Sequence, residues 1–559
     1  MYWLDWNCQA VPAVAAPLAR KYLFTTLWCA SRGFRRGSLE PQVTGPWRND
    51  PLNASGYTRD RILAVLAVAA AALAIPAAAT AQETYDIVLA GGRVMDPETG
   101  LDAVRNVGIN GSTIAAISEE ALDGEVVVDV AGLVVSPGFI DLHAHGQTNR
   151  ANEFQARDGV TTALEMESGV GRLAGYLAER RKGAILNYGA TVSHMSVRTL
   201  AMPRRRDAAQ NALEAAEDDA EGGLVELSFI ASVARYDPVA PDEYPALRDA
   251  LAQGLAEGAL GIGMAHQYYP GASLEEILEV FKFASAANTT IYTHVRDMAI
   301  SAIQEVIANA VATGASLHIV HMNSSSLWNV SPVLELIGGV QRRGFDVTTE
   351  AYPYTGASTG LQSTIFDPGW QDKLQISYGD LQWQDTGERL TEETFNSYRA
   401  TGGTVIIHMM KEEWIREALA TDFVMVASDG MPYAPGAHPR SAGTFSRFLG
   451  RYVRDEGLMP LMDGLAKITI MPAKRLEGMT DQASTMGRLQ VGATADITVF
   501  DPETIIDTAT FEDDLSYSEG VAHVLVNGEF VVRDGENVPD AMPGTAIVGR
   551  GTSGSKAGG

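Results

Sequence analysis

Gly138-Phe139-Ile140-Asp141-Leu142-His143-Ala144-His145 places two histidines, two residues apart, at the end of an apolar run. Side chains alternate across a strand, so positions i and i+2 face the same way. A buried strand ending here brings two imidazoles to one point, where they can hold a divalent cation. With ten histidines in 559 residues, about 0.2 such pairs arise by chance, so the surrounding sequence has to decide.

Three later segments supply that context. Tyr292-Thr293-His294 and Leu317-His318-Ile319-Val320-His321 each end an apolar run in histidine, and Val424-Met425-Val426-Ala427-Ser428-Asp429-Gly430 ends one in aspartate. In a parallel barrel the carboxyl ends of the strands converge on one face, so ligands distant in sequence meet there. Apolar runs such as Thr161–Leu164, Leu317–Val320 and Thr404–Ile407 alternate with helical stretches such as Ser273–Ala287 and Lys411–Ala420. This alternation predicts an α/β fold, a metal-dependent (β/α)8 TIM barrel. Short strands at both chain ends, with turns at Gly91-Gly92, Asn110-Gly111 and Asn527-Gly528, predict one sheet-rich domain built from the two termini.

On the second barrel strand, Leu164-Glu165-Met166-Glu167-Ser168-Gly169 puts two carboxylates on one face. A buried, unpaired carboxylate costs several kcal/mol, so a cation between these acids and the histidines is expected. Glu167, nearer the strand's carboxyl end, is the preferred ligand and bridges two ions if two bind; Glu165 is the alternative. His294 and His321 complete a second position, and neutral imidazole suits zinc. His318 differs in parity from His321 and is read as a core residue. Asp429 is expected to hold a metal and to carry the proton from attacking water to the leaving amine. His266, His408 and His523 are read as structural, and Met264, Met409, Met410 and Met425 as core filler.

Charge and cysteine content narrow the function further. The formal net charge of −27 makes nucleic acid an improbable partner, and the 46% hydrophobic content supports a large core. Arg59-Asp60-Arg61, the apolar stretch Ile62–Ile75 and Ala79-Thr80-Ala81 resemble a secretory leader cleaved before Gln82. A periplasmic or secreted location follows, with no stable membrane anchor after cleavage. Both cysteines, Cys8 and Cys29, precede that cleavage point, so cysteine chemistry is excluded from the mature chain.

The ligand series His143, His145, a strand carboxylate, His294, His321 and Asp429 resembles that of the amidohydrolase superfamily. From Tyr85 to Gly549 the chain resembles its N-acyl-D-amino-acid deacylases (D-aminoacylases). The resemblance is carried by Gly258-Ala259-Leu260-Gly261, Tyr268-Tyr269-Pro270-Gly271, Thr293-His294-Val295-Arg296-Asp297, Tyr352-Pro353-Tyr354, Ser428-Asp429-Gly430, His438-Pro439-Arg440 and Gly443-Thr444-Phe445. It implies that the end strands form a small β-sandwich, in two parts over residues 82–136 and 487–550. The barrel would then span 137–486, the leader 57–81 and a disordered tail 551–559, while residues 1–56 fall outside the functional protein.

The resemblance also implies one or two divalent ions, with zinc expected, and a small N-acylated substrate held by Arg440, Tyr268, Tyr352 and Ser358. His194 matches a non-ligand histidine of the family and is assigned a supporting role. Two departures stand out. Ser168 occupies the place of a family cysteine ligand, and Asn323 that of a lysine expected to contact the substrate carboxylate, with Arg198 and Arg296 as candidate replacements. The activity implied is hydrolysis of a linear amide, N-acyl-D-amino acid to D-amino acid and carboxylate. The alternatives are a dipeptidase or cyclic-amide hydrolase of the same superfamily, or a non-catalytic barrel scaffold. Sequence leaves the oligomeric state open.

Overall fold

The computed structural model describes residues 84–217, 232–513 and 515–551. The extension 1–56, the leader 57–81, Cys8, Cys29 and the tail from residue 552 lie outside the described residues. No described helix is long and apolar enough to cross a membrane.

Eight parallel strands form the central sheet: β1 (Phe139–Asp141), β2 (Val160–Val170), β3 (Asn187–Ser193), β4 (Ile262–Ala265), β5 (Thr290–His294), β6 (Ser316–Ile319), β7 (Val347–Ala351) and β8 (Val424–Val426). Each strand neighbours the next in sequence, and β1 meets β8 through the Gly430 carbonyl, which accepts the N–H of His145 at 2.7 Å and of Gly146 at 3.1 Å. Asp141 reinforces this closure. Its Oδ1 accepts the N–H groups of Ser428 (3.0 Å) and His143 (3.1 Å), and its Oδ2 accepts the Ser428 hydroxyl. The strands are buried on both faces because helices such as Leu274–Ala287 and Ile300–Thr313 cover the outside with Ile277, Val280, Phe281, Ile303 and Val306. Leu274–Ala287 starts where the Ser273 hydroxyl caps the Glu276 N–H and ends at left-handed Asn288.

A nine-stranded sheet is built from both ends of the chain. Thr84–Asp96 is one bulged strand: its first half pairs with Asp123–Asp129, its second half with Val134–Pro137. Gly91-Gly92, expected to be a turn between strands, is that bulge. A Cβ on Gly92 would lie 2.5 Å from Val135, so the close approach requires glycine. Asn110-Gly111 and Asn527-Gly528 do form tight hairpin turns. Leu89, Val107, Ile109, Leu489, Ile497, Val499 and Leu525 fill the core of this unit. It is tied to the base of the barrel by Asp496, which accepts the Asn527 N–H at 2.7 Å and the Asn187 amide at 2.9 Å. Residues 543–549, which sequence assigned to the sandwich, leave this sheet and run along the barrel: the Ile547 N–H donates to the Tyr188 carbonyl at 2.7 Å.

Thr404–His408 is not a barrel strand. It is the centre of a three-stranded antiparallel sheet with Gly356–Gly360 and Leu381–Trp383, inserted between β7 and β8. An apolar run of this length fits a barrel strand and an insert strand equally well. The insert has its own core around Phe366, Trp370, Trp383, Phe395 and Val405.

Gly528 sits at φ 80°, and a Cβ there would fall 1.9 Å from the Gly111 carbonyl oxygen. Gly528→Ala therefore forces the two hairpins apart as well as incurring the left-handed cost of about 1–2 kcal/mol. Scanning calorimetry is expected to find its Tm lower by about 3 °C or more, whereas an unchanged Tm would mean that the hairpins do not hold each other.

Candidate active site

The carboxyl ends of β1, β2, β5, β6 and β8 converge, and the predicted ligands meet there. His143 Nε2 and His145 Nε2 are 3.2 Å apart, each 3.1 Å from Glu167 Oε2 and 3.5 and 3.4 Å from Asp429 Oδ1. The other oxygen of Glu167, Oε1, is 2.6 Å from His294 Nδ1 and 3.1 Å from His321 Nε2. Glu167 thus contributes one oxygen to each of two ligand groups, one with His143, His145 and Asp429, the other with His294 and His321.

Local backbone features aim Glu167 into this position. Glu165 stands opposite Ala190 and Val170 opposite Val192, so β2 bulges outward between them relative to β3. The Thr191 hydroxyl donates to the Met166 carbonyl at 2.9 Å and pins the bulge. Gly169 closes it at φ 64°, and Gly263 on β4 lies so near that a Cβ would be 2.6 Å from the Glu167 carbonyl oxygen. Two other ligands, His321 (φ 31°) and Asp429 (φ 51°), have left-handed backbone that non-glycine residues rarely adopt, at about 1–3 kcal/mol each.

Each imidazole has a partner on its other ring nitrogen. His145 Nδ1 lies 2.7 Å from Glu165 Oε2, His143 Nδ1 2.7 Å from Glu350 Oε1, His294 Nε2 2.5 Å from Gln267 Oε1, and His321 Nδ1 3.0 Å from Ser325 Oγ. Ionised carboxylates and amide oxygens only accept, so the ring protons of His143, His145 and His294 belong on these outer nitrogens, and the Ser325 hydroxyl is able to accept that of His321. The inner nitrogens then present lone pairs to one another and to Glu167 at 2.6–3.2 Å, an arrangement that only positive charge can stabilise. Nitrogen and oxygen donors in two such groups fit divalent metal ions.

The electrostatics agree. Burial opposes protonation of His143 and His145, yet Asp429 and Glu167 beside the first and Glu165 beside the second push both well above the usual histidine range. Burial alone would raise Glu167 and Asp429. Instead His143 and His294 hold Glu167 well below the usual carboxylate range, and Arg440 and His143 do the same for Asp429. The centre therefore demands cationic charge whichever group supplies it.

Other predicted residues are distributed as follows. Tyr268, Tyr352 and Ser358 line a cavity of about 850 Å³, counting its open mouth, that reaches His145, Glu167, His294, His321 and Asp429. Among the described residues the Tyr352 and Ser358 hydroxyls have no hydrogen-bond partner, while Tyr268 meets the Thr359 hydroxyl at 3.2 Å. Arg440 is buried with its guanidinium 2.9 Å from Asp429 Oδ2 and stacked 4.8 Å from the centre of the Tyr352 ring; its Nε is unpartnered.

Asn323 does not line the cavity; it is fully buried and its amide donates to the Tyr352 carbonyl at 2.9 Å. His194 lies in a separate buried cluster, 3.0 Å from the Tyr269 hydroxyl and 3.4 Å from Glu276. Arg198 and Arg296 pair with Glu276 and Glu305. Ser168 is buried with an unpartnered hydroxyl and belongs to neither ligand group. His318 bonds Glu350 Oε2 at 3.0 Å and so stands behind His143, and Met409 is both core and cavity wall.

Glu350, Gln267, Ser325 and Arg235 are site residues that sequence reading missed. A glutamate inside the strand Val347-Thr348-Thr349-Glu350-Ala351 was a signal for the first; Gln267 and Arg235 lie on loops and Ser325 in the short helix Met322–Ser326, none of them within a motif.

The amidohydrolase family profile matches residues 126–532. The chain belongs to this family. It is 30% identical over 499 residues to a D-aminoacylase of Alcaligenes xylosoxydans xylosoxydans, covering 80% of this chain and 94% of the relative. It is 31% identical over 474 residues to the N-acyl-D-glutamate deacylase of the same organism, covering 80% and 93%. The crystal structure of N-acyl-D-glutamate deacylase from Bordetella bronchiseptica, complexed with zinc and a phosphonate mimic of the tetrahedral intermediate, superposes with TM-score 0.70. That match has 25% identity and covers 83% of this chain and all of that one. The protein is a metal-dependent amidohydrolase that cleaves amide C–N bonds.

Glu167 and Glu165 separate by experiment. Glu167→Ala is expected to abolish metal retention after gel filtration, measured by plasma emission, whereas Glu165→Ala weakens it about 10–100-fold. Equal losses would show that both carboxylates act as ligands. Gly263→Ala, whose Cβ would lie 2.4 Å from the Thr191 hydroxyl that pins the bulge and 2.6 Å from the Glu167 carbonyl oxygen, is expected to lower metal content with the circular dichroism spectrum unchanged.

Proposed function

We propose that this amidohydrolase is a zinc-dependent deacylase of N-acyl-D-amino acids, binding one or two ions. The observation that carries this reading is the division of the two Glu167 oxygens between two ligand groups at the floor of a cavity lined by both apolar and polar side chains. The two Alcaligenes relatives, an aminoacylase and a deacylase of D-amino acids, support the substrate class.

A bound divalent ion supplies Lewis-acid polarisation of the amide carbonyl and makes water more acidic. Asp429 does the proton work. With Oδ1 toward His143 and His145, Oδ2 toward Arg440 and its carboxylate held ionised, it accepts the proton of the attacking water and returns it to the departing amine nitrogen. Water adds to the acyl carbon, the C–N bond breaks, and a carboxylic acid and a free amine result.

Arg440 lies behind the cavity wall, 2.9 Å from Asp429, which lines it; with its Nε open among the described residues and a guanidinium that matches carboxylate in a planar fork, it is the group assigned to the α-carboxylate. Burial pushes the Tyr268 and Tyr352 phenols up, so both remain protonated donors at neutral pH. Together they can bind the amide oxygen or the α-carboxylate. The buried walls limit competing water. The leader-like stretch at 57–81 supports action in the periplasm or outside the cell, and cell fractionation checks that.

Zinc-loaded protein given matched N-acetyl-D- and N-acetyl-L-amino acids is expected to release amine from the D series with a preference of about 100-fold or more. Turnover confined to L compounds, dipeptides or hydantoins would overturn the reading in favour of another amidohydrolase activity.

A further inference from the structure

One permanently charged cation lines the cavity among the described residues, and it is Arg235. Its Nη1 donates to the Gln362 carbonyl at 2.8 Å, its side chain also meets the Tyr236 phenol, and its Nε is buried without a partner among the described residues, with no ion pair to a described carboxylate. Ser358 and Ser363, both buried and lining the same cavity, carry unpartnered hydroxyls. Buried donors left unpaired are costly, so a guanidinium and two hydroxyls left open in one cavity form a cradle for an acceptor.

The other candidate cations are committed elsewhere. Arg440 faces Asp429, Arg198 pairs with Glu276, Arg296 pairs with Glu305, and the lysine position of the deacylases is the neutral, buried Asn323. A second carboxylate entering this cavity meets Glu167 and Asp429 inside a chain of net charge −27, so it needs a local cation to be tolerated. Arg440 touches Asp429, a member of the ligand cluster, which suits the α-carboxylate close to the scissile amide. Arg235 instead bonds Gln362, in the insert between β7 and β8, which suits the more distant group.

We propose that Arg235, with the Ser363 and Ser358 hydroxyls, forms a carboxylate subsite that reads the side chain of an acidic N-acyl-D-amino acid. This rests on the deacylase reading and names its substrate class. Arginine suits the role because its fork binds a carboxylate bidentately, and a site built to pair a charge discriminates strongly against an uncharged isostere.

The test compares N-acetyl-D-glutamate with N-acetyl-D-glutamine, which differ in charge and little in shape. Zinc-loaded wild type is expected to favour the glutamate compound in kcat/KM, and Arg235→Met to reduce that ratio about 100-fold, with Arg235→Lys restoring part of it. A wild type without the preference, or a ratio unmoved in Arg235→Met even where both rates fall, overturns the proposal. The second result is the one expected if Arg235 only braces Gln362 or holds the α-carboxylate.

Calorimetric titration of D-glutamate and D-glutamine into the same zinc-loaded proteins gives a readout without turnover. Arg235-dependent preference for D-glutamate in a protein that hydrolyses neither substrate retains the subsite and removes the deacylase reading. Hydrolysis with no Arg235-dependent preference removes the subsite alone.

Discussion

Two oxygens of one buried glutamate organise this molecule. Glu167 sits within 3.1 Å of four imidazoles, and its carboxylate is shared between two ligand groups at the centre of a barrel mouth. In a low-dielectric interior such a cluster is stable only with compensating positive charge, because unpaired buried charge costs several kcal/mol. Burial, the closure of β1 on β8 and the tightness of the β2 bulge all serve to hold that charge pattern in place. The left-handed backbone at His321 and Asp429 is tolerated for the same reason: the barrel fixes those residues more firmly than local strain can displace them.

Rigidity here is distributed rather than local. Glu165 comes from β2, Glu350 from β7, Gln267 from the loop after β4 and Ser325 from the short helix after β6, and each fixes one imidazole by its outer nitrogen. The His143–Glu350–His318 chain reaches from the end of β1 across the barrel mouth to β7 and on to its neighbour β6, so the orientation of one ligand depends on the register of three strands. Burial would raise the Glu350 carboxyl, but the hydrogen bonds from His143 and His318 bring it down to about 2, so it stays an acceptor. Outer partners of this kind raise the basicity of ligands and set their tautomer, which is why a barrel can present lone pairs rather than protons to a metal.

The barrel and the ligand series were legible because both follow short-range rules: apolar runs end in His, His, His and Asp, and Glu165 and Glu167 lie two apart on one strand. The same rule left those two glutamates tied, since parity gives them one face. The bulge that separates them depends on Thr191, Gly169 and Gly263, from three strands, and no local pattern reveals it. Thr404–His408 misled for a related reason, as a four-residue apolar core is common to barrel strands and to the sheet of an insert. Gly91-Gly92 read as a turn because paired glycines allow one, while the close approach of Val135 makes the position a bulge. Asn323 matched a family position in the chain, yet its side chain turns to the Tyr352 backbone instead of the cavity.

Chemistry and selection have different structural origins in this protein. The ligands and Asp429 stand at strand ends, where the hydrogen-bonded sheet holds their positions. The residues facing the substrate belong to the loop around Arg235, to Tyr268 and Tyr352 just beyond their strands, and to Ala357, Ser358, Thr359 and Ile407 of the inserted sheet. The insert's apolar core is a different cluster from the one behind the barrel strands and meets the barrel at Met298, Leu327 and Tyr352, so insert residues away from that seam can change with less effect on the packing that orients Glu167. The metal centre is constrained by charge and by several strands at once, and it can be recognised from a handful of residues. The cavity wall is constrained only by the shape and charge of what it must hold, and its decisive groups emerge only when the fold brings Arg235 and the insert together.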